Sequence, residues 1–289
     1  MAANLSPASF DMLASMLKST SGLTIGRDKV YLLETRLGGI IKREKLADLN
    51  QLADRLRRPG ADTLAREVVE AMTTNESFFF RDDKPFLHFR NHALPRIAGA
   101  RSQATPIRIW SAASSSGQEA YSLAMIIAEC RAVLGERRVE IIGTDIAREQ
   151  LHRAREGLYS QFEVQRGLPV QMLMRWFRKE DGNWRIHDQI RAMVQFREFN
   201  LLSDPRSLGH FDIVFCRNVL IYFDQPTKGR VLESIAGAMP ADGLLYLGGA
   251  ETVLGITNRF APLTAERGVY GVAAAGAAHA PGGRVPVLA

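Results

Sequence analysis

Residues 107–134 read IRIWSAASSSGQEAYSLAMIIAECRAVL, and residues 139–145 read VEIIGTD. The first stretch opens as a short apolar strand, passes through a turn of small residues from Ala112 to Gly117, and continues with apolar spacing suited to a helix. The second is another strand, followed by the helical pattern IAREQLHRAREG at 146–157. Strand, helix, strand, helix is the pattern of a parallel α/β sheet. Working outward, FDIVFCRNVLIYF at 211–223 is a strand and its loop, with the near-continuous apolar run of a strand buried on both faces. Thr227–Met239 reads as a helix, LLYLGG at 244–249 as a strand, and FAPLTAERGVYGVAA at 260–274 as a closing pair of strands.

Residues 1–72 read differently, as all helix. Val30, Leu33, Leu37, Ile40 and Ile41 recur at three- and four-residue spacing. Lys29, Arg36 and Arg43 lie seven apart, which predicts a basic stripe on another face of that helix. A shorter helix around Leu49–Leu56 is closed by Pro59-Gly60, and another is expected from about Asp62 to Met72. The stretch 176–199 breaks the α/β alternation. Asp181-Gly182 stands there between two strand-like runs, a hairpin signal leading back to a core strand at Met193–Phe199. The expected organisation is a helical domain at 1–72, a linking segment at 73–94, and an α/β domain at 95–273 with an antiparallel insert at 174–194. The Ala/Gly/Pro-rich tail, 274–289, reads as disordered.

Composition narrows the function. Hydrophobic residues make up 46% of 289 positions, which excludes general disorder. No apolar run reaches the ~18–20 residues of a membrane span, and the N-terminal sequence has no secretory pattern. Two cysteines, Cys130 and Cys216, do not make a disulfide framework and suit a reducing cytoplasm. Thirty-seven basic against 31 acidic residues leave a net charge of +6, which favours an anionic partner without choosing one. The histidines show no metal-ligand spacing, so no metal is expected.

The chemistry-bearing residues cluster at strand ends. A small-residue turn after a strand lets a ligand approach the main chain, where open α/β sheets bind ligands. A ligand-free tight turn fits the same residues, and one glycine does not make a dinucleotide fingerprint. Asp145 ends the second strand, 28 residues past Gly117, where an acid can accept hydrogen bonds from both ribose hydroxyls. It can equally cap the next helix. Glu119, in the first turn of its helix, can be a ligand contact or a complement to the helix dipole.

Joined to TTNESFFFRD at 73–82, NLL at 200–202 and FCRNVLIYFD at 215–224, the motifs WSAASSSGQEAYSLAM (110–125) and GTDI (143–146) resemble the CheR-type chemotaxis methyltransferases. These enzymes methylate receptor glutamates with S-adenosylmethionine. The motifs occur in the family's order and spacing. Gln118 and Ala120 stand where the family usually has Glu and Pro, and Ser77 where it often has Thr; the hydroxyl and the second acid survive. The resemblance implies a Rossmann-like class I methyltransferase sheet of seven strands, the last antiparallel. It also implies a small all-helical N-terminal domain over the cofactor and an inserted three-stranded β-subdomain.

Residue by residue, the resemblance assigns Asn75, Ser77 and Arg81 to the methionine side of the cofactor or the catalytic cleft. It assigns Glu119 to the cofactor site, Asp145 to the ribose, Asn200 and Leu201 to the adenine, and Arg217 and Asn218 to the floor. Arg81 and Tyr222 are the catalytic candidates, placed to hold and orient the incoming carboxylate. The three phenylalanines 78–80 read as anchors for the linking segment. The implied partners are methyl-accepting chemotaxis receptors, met through the stripe Lys29, Arg36, Arg43, with no nucleic acid, no membrane insertion, and a monomeric enzyme in the cytoplasm. An N-methyltransferase acting on nucleic acid or a small molecule is the alternative, suggested by the charge and by Asn218–Tyr222. That run is one residue too long and lacks the prolines of the amino-group methyltransferase motif. A non-catalytic cofactor-binding module is the third reading. Some CheR-type enzymes tether to a receptor's C-terminal peptide through a longer, Gly-rich hairpin loop. The short charged loop Arg178–Arg185 predicts that this chain does not depend on such a tether.

Overall fold

A computed structural model describes residues 5–263 and 267–273. The expected disordered tail, 274–289, lies outside the described residues.

The helical segment contains α1 (Pro7–Ser21), α2 (Val30–Arg43), α3 (Leu49–Leu56) and α4 (Asp62–Met72). Local chemistry sets their ends. The Ser6 hydroxyl accepts from the Ser9 amide at the start of α1, and Asp48 accepts from the Gln51 amide at the start of α3. Gly22 closes α1 in the left-handed conformation, φ 81°, its amide donating to the Lys18 carbonyl. Their apolar stripes meet in one core: Phe10, Leu13 and Leu17 from α1, Leu33 and Leu37 from α2, Leu49 and Leu52 from α3, Val68 and Val69 from α4. Each fully buried Leu or Val contributes about 1.5–3 kcal/mol, which is what holds four short helices together.

The main sheet is built from β1 (Ile107–Ala112), β2 (Val139–Asp145), β6 (Val194–Glu198), β7 (Ile213–Cys216), β8 (Leu244–Leu247), β9 (Phe260–Pro262) and β10 (Val269–Val272). Its order is β6-β2-β1-β7-β8-β10-β9. The pairings from β6 to β8 are parallel, and β10 runs antiparallel to both its neighbours. This is the expected seven-stranded class I methyltransferase sheet. Successive side chains point to opposite faces, so each strand feeds two cores. Ile107 and Ile109 of β1 pack with the helix Gln118–Glu129, and Trp110 and Ala112 pack on the other face with the helix Gln225–Gly237. The chain leaves β1 toward β2 on one side and later returns to place β7 on the other. The carboxyl ends of β1 and β7 therefore form the switch point at which such sheets bind ligands.

A second sheet has the order β3-β5-β4, from β3 (Leu158–Tyr159), β4 (Phe177–Glu180) and β5 (Asn183–Ile186). Asp181 (φ 48°) and Gly182 (φ 80°) make the tight two-residue turn between β4 and β5. The third strand lies outside the expected insert, 174–194. Two residues are too few to show alternation, and only pairing with Trp184 and Arg185 makes them a strand. Among the described residues, no helix is long and apolar enough to cross a membrane.

Candidate functional site

The switch point opens into a cleft of about 880 Å³, its open mouth included. All ten residues singled out from the sequence line it: Asn75, Ser77, Arg81, Glu119, Asp145, Asn200, Leu201, Arg217, Asn218 and Tyr222. They come from the linking segment, from the helix after β1, from the end of β2, and from the loops after β6 and β7.

The turn after β1 forms one wall. Ala113 (φ 61°) and Ser115 (φ 49°) adopt left-handed backbone that side chains seldom take, a local strain of the kind found at binding sites. The structure around them holds it. The Ser115 amide donates to Asp145 Oδ2 at 2.8 Å, and the Ser115 hydroxyl donates to the Asn75 carbonyl at 3.0 Å. Gly117 is required by sterics as well as by its φ of 94°: a Cβ there would stand 3.0 Å from both Ala154 Cβ and Phe196 Cζ. Asp145 is buried, and its other oxygen accepts the Ala147 amide at 2.9 Å. It thus fixes the chain leading into the next helix as well as the turn, and acceptor capacity remains on the carboxylate. Burial pushes its carboxyl above the ordinary aspartate range, against the lowering effect of these amides.

The floor is an ion-pair cluster. Glu119 accepts from the Ser111 hydroxyl (2.8 Å) and from Arg217 Nη1 (3.1 Å). Arg217 Nη2 donates to the Arg81 carbonyl (2.8 Å) and to Asp82 Oδ2 (2.7 Å). Arg217, whose side chain is only 1% exposed, therefore pins the linking segment to the end of β7. Its Nε has no partner among the described residues. Burial also pushes Glu119 up, with the Arg217 charge and the Ser111 bond opposing it. Asp82 serves Arg217, so Arg81 is not tied up with its neighbour. Arg81 donates to the Glu76 carbonyl (3.1 Å) and lies over the Phe78 ring, 5.1 Å from its centroid.

The helical domain completes the cleft, a contribution the sequence reading assigned to no residue. Ser21 and Leu23 line the cleft. The Asn200 amide nitrogen donates to the Thr20 carbonyl at 2.5 Å, and its oxygen accepts the Leu202 amide. Each end of that side chain thus makes one contact, interdomain at the nitrogen and within the loop at the oxygen. Thr24 donates its amide to the Tyr222 carbonyl at 2.9 Å, beside a bridge between Leu23 and Phe223. The Tyr222 hydroxyl has no partner among the described residues. Of the three phenylalanines, Phe79 and Phe80 are buried anchors, whereas Phe78 lines the cleft between the guanidinium groups of Arg81 and Arg166.

The basic stripe does not stand free. Lys29 belongs to the turn before α2. Arg36 reaches across to the end of α4, donating to the carbonyls of Met72 (2.6 Å) and Thr73 (2.9 Å) and to the Thr74 hydroxyl (2.9 Å). Those carbonyls have no helical partner of their own, which is why a long cationic side chain settles on them. Arg43 is paired with Glu44 and Glu67. Seven-residue spacing aligned the stems, but the Arg36 head group settled on the end of α4 and that of Arg43 on surface carboxylates.

A family model described as CheR methyltransferase, SAM binding domain, matches residues 75–269. Chemotaxis protein methyltransferase 1 of Pseudomonas aeruginosa is 38% identical over 266 residues, covering 91% of this chain and 96% of that protein. The chemotaxis protein methyltransferase of Vibrio parahaemolyticus is 36% identical over 275 residues, covering 93% of this chain and 98% of that protein.

Proposed function

This chain belongs to the CheR methyltransferase family, and from that premise we propose that it methylates glutamate side chains of chemotaxis receptors, forming methyl esters. It is an S-adenosylmethionine-dependent methyltransferase. The observation that carries the proposal is the convergence of Arg81 and Tyr222 with Asp145, Glu119 and the small-residue turn in one cleft at the switch point.

The donor set suits this cofactor. Asp145 keeps acceptor positions for ribose hydroxyls at the end of β2, and the strained turn exposes main chain beside it. Leu201 and Leu23 offer apolar surface for a base, with Asn200, whose amide also holds that loop, beside it. Asn75, Ser77, Arg217 and Asn218 supply polar groups for the amino-acid end, close to Glu119. S-adenosylmethionine supplies an electrophilic methyl group on a sulfonium.

The acceptor glutamate is already ionised at neutral pH, its reference pKa being about 4.3, so no side chain has to remove a proton. The work left to the protein is alignment and exclusion of water. Arg81 draws the incoming carboxylate to the cleft. Phe78 and the Glu76 carbonyl hold its guanidinium in place, and its role is positioning, since too strong an ion pair would weaken the nucleophile. Tyr222, with its hydroxyl free, orients the carboxylate by donating a hydrogen bond. The helical domain covers the cleft through Ser21 and Leu23.

The test separates binding from transfer. Arg81→Ala and Tyr222→Phe are each expected to bind S-adenosylhomocysteine with calorimetric affinity within about threefold of wild type, while methyl transfer to receptor-bearing membranes falls by about tenfold or more. Full transfer by both variants would refute the catalytic assignment.

A further inference from the structure

The segment 218–222 carries Asn218 and Tyr222 into the cleft, and its backbone is held from behind by Glu251. This buried carboxylate accepts four main-chain hydrogen bonds. Oε2 takes the amides of Asn218 (2.8 Å) and Gly248 (2.7 Å). Oε1 takes those of Val219 (3.0 Å) and Ile221 (3.3 Å). Three of these donors lie in a bend with no strand to pair with, because β7 ends at Cys216 and a single helical turn occupies Leu220–Tyr222. Without Glu251 these part-buried amides would lose their protein acceptor.

The fit is specific for a carboxylate. Asn218 sits in left-handed backbone, φ 59°, which has to be held in place. Gly248 lets the carboxylate approach: a Cβ there would stand 2.8 Å from Glu251 Oε2 and 2.7 Å from Asn218 Nδ2. Four converging donors need two oxygens that only accept, and of the side chains of this length only glutamate has them. Glutamine would turn an NH₂ group against two N–H donors.

We propose that Glu251 is a positioning residue for methyl transfer, setting the backbone of residues 218–222 and through it the orientation of the Tyr222 hydroxyl. The inference rests on the assignment of Tyr222 to the transfer step. It differs from a merely stabilising role, because its effect on turnover must pass through Tyr222.

A double-mutant cycle reads this directly. The turnover number for methyl transfer to receptor-bearing membranes is measured at saturating S-adenosylmethionine for wild type, Glu251→Gln, Tyr222→Phe and the double variant, with folding checked by thermal denaturation. Glu251→Gln is expected to lower turnover by about tenfold in the wild-type background and by less than about twofold in the Tyr222→Phe background. Equal losses in both backgrounds, or no loss in the first, would overturn the proposal. Wild-type turnover by Tyr222→Phe alone would instead refute the assignment of Tyr222 and leave Glu251 with nothing to act through. Glu251→Asp, which keeps both acceptor oxygens on a shorter stem, takes the place of Glu251→Gln if that variant does not fold. Failure of both to fold would make the carboxylate a requirement of the fold and overturn the positioning role.

Discussion

Asp145 joins the turn after β1 to the chain after β2 and is also the proposed ribose acceptor, so two outcomes attach to one carboxylate. Removing both ribose bonds, at about 0.7–1.4 kcal/mol each, predicts that Asp145→Ala weakens S-adenosylhomocysteine binding roughly 10–100-fold. Unchanged affinity by calorimetry would take Asp145 out of the site. The same experiment has a pH signature. Burial raises the Asp145 carboxyl above the usual range, and the ribose acceptor is the ionised form. Affinity should therefore start to fall at a pH above that at which an ordinary aspartate, near 3.9, titrates. The sign for stability is opposite. With the folded-state value raised, the contribution of Asp145 to stability is present at low pH and lost as pH rises through that value, so acid weakens binding while it strengthens the fold through this group. The sequence showed Asp145 because a carboxylate after a strand is a local pattern. Glu251 was not legible: its four partners come from two separate loops, and no spacing in the sequence brings them together.

Among elements, the linking segment has the most consequence for its length. Arg217 pins it from the sheet side and Arg36 from α2, and between those anchors lie Asn75, Ser77 and Arg81. Arg36→Met keeps the stem and removes the donors. It should weaken S-adenosylhomocysteine binding roughly tenfold, the scale of a charged hydrogen bond at about 1.5–3 kcal/mol, whereas Lys29→Ala should leave it unchanged. Calorimetry giving equal affinity for Arg36→Met and wild type would show that the segment does not need this anchor. Periodicity alone made Arg36 part of a docking stripe, because helical spacing reports which stems share a face and not where long head groups go. The β4–β5 hairpin was legible from Asp181-Gly182, and its turn is as tight as those residues imply. Arg185 and Arg178 both pair with Glu180, so the strand pair is braced by charge close to the turn. Such a turn leaves less room to shape a pocket for strand addition of a receptor's C-terminal peptide. Titration with that pentapeptide at tens of micromolar is expected to give no saturable heat, and a 1:1 isotherm abolished by changes in 178–185 would contradict this.

At the scale of the molecule, the order of the sheet explains why motifs spread over some 150 residues meet. Parallel strands with right-handed crossovers bring the ends of β1, β2, β6 and β7 to one edge, so residues 113–119, 145, 200–201 and 217–222 share a cleft. That convergence followed from the strand–helix alternation, with family motifs naming the chemistry. The seating of the helical domain was less legible, because it depends on single contacts such as Thr24 to Tyr222 and Asn200 to Thr20 that leave no pattern in the chain. The central claim is that this cleft makes a carboxyl ester rather than an N-methyl group, and the stability of the product decides it. Receptor-bearing membranes are methylated by the enzyme with S-adenosylmethionine labelled on its methyl group, and the washed protein is then exposed to mild alkali. A methyl ester releases the label as volatile methanol, which is the expected result. Label that stays on the protein through alkali, or that never reaches the receptor, would contradict it.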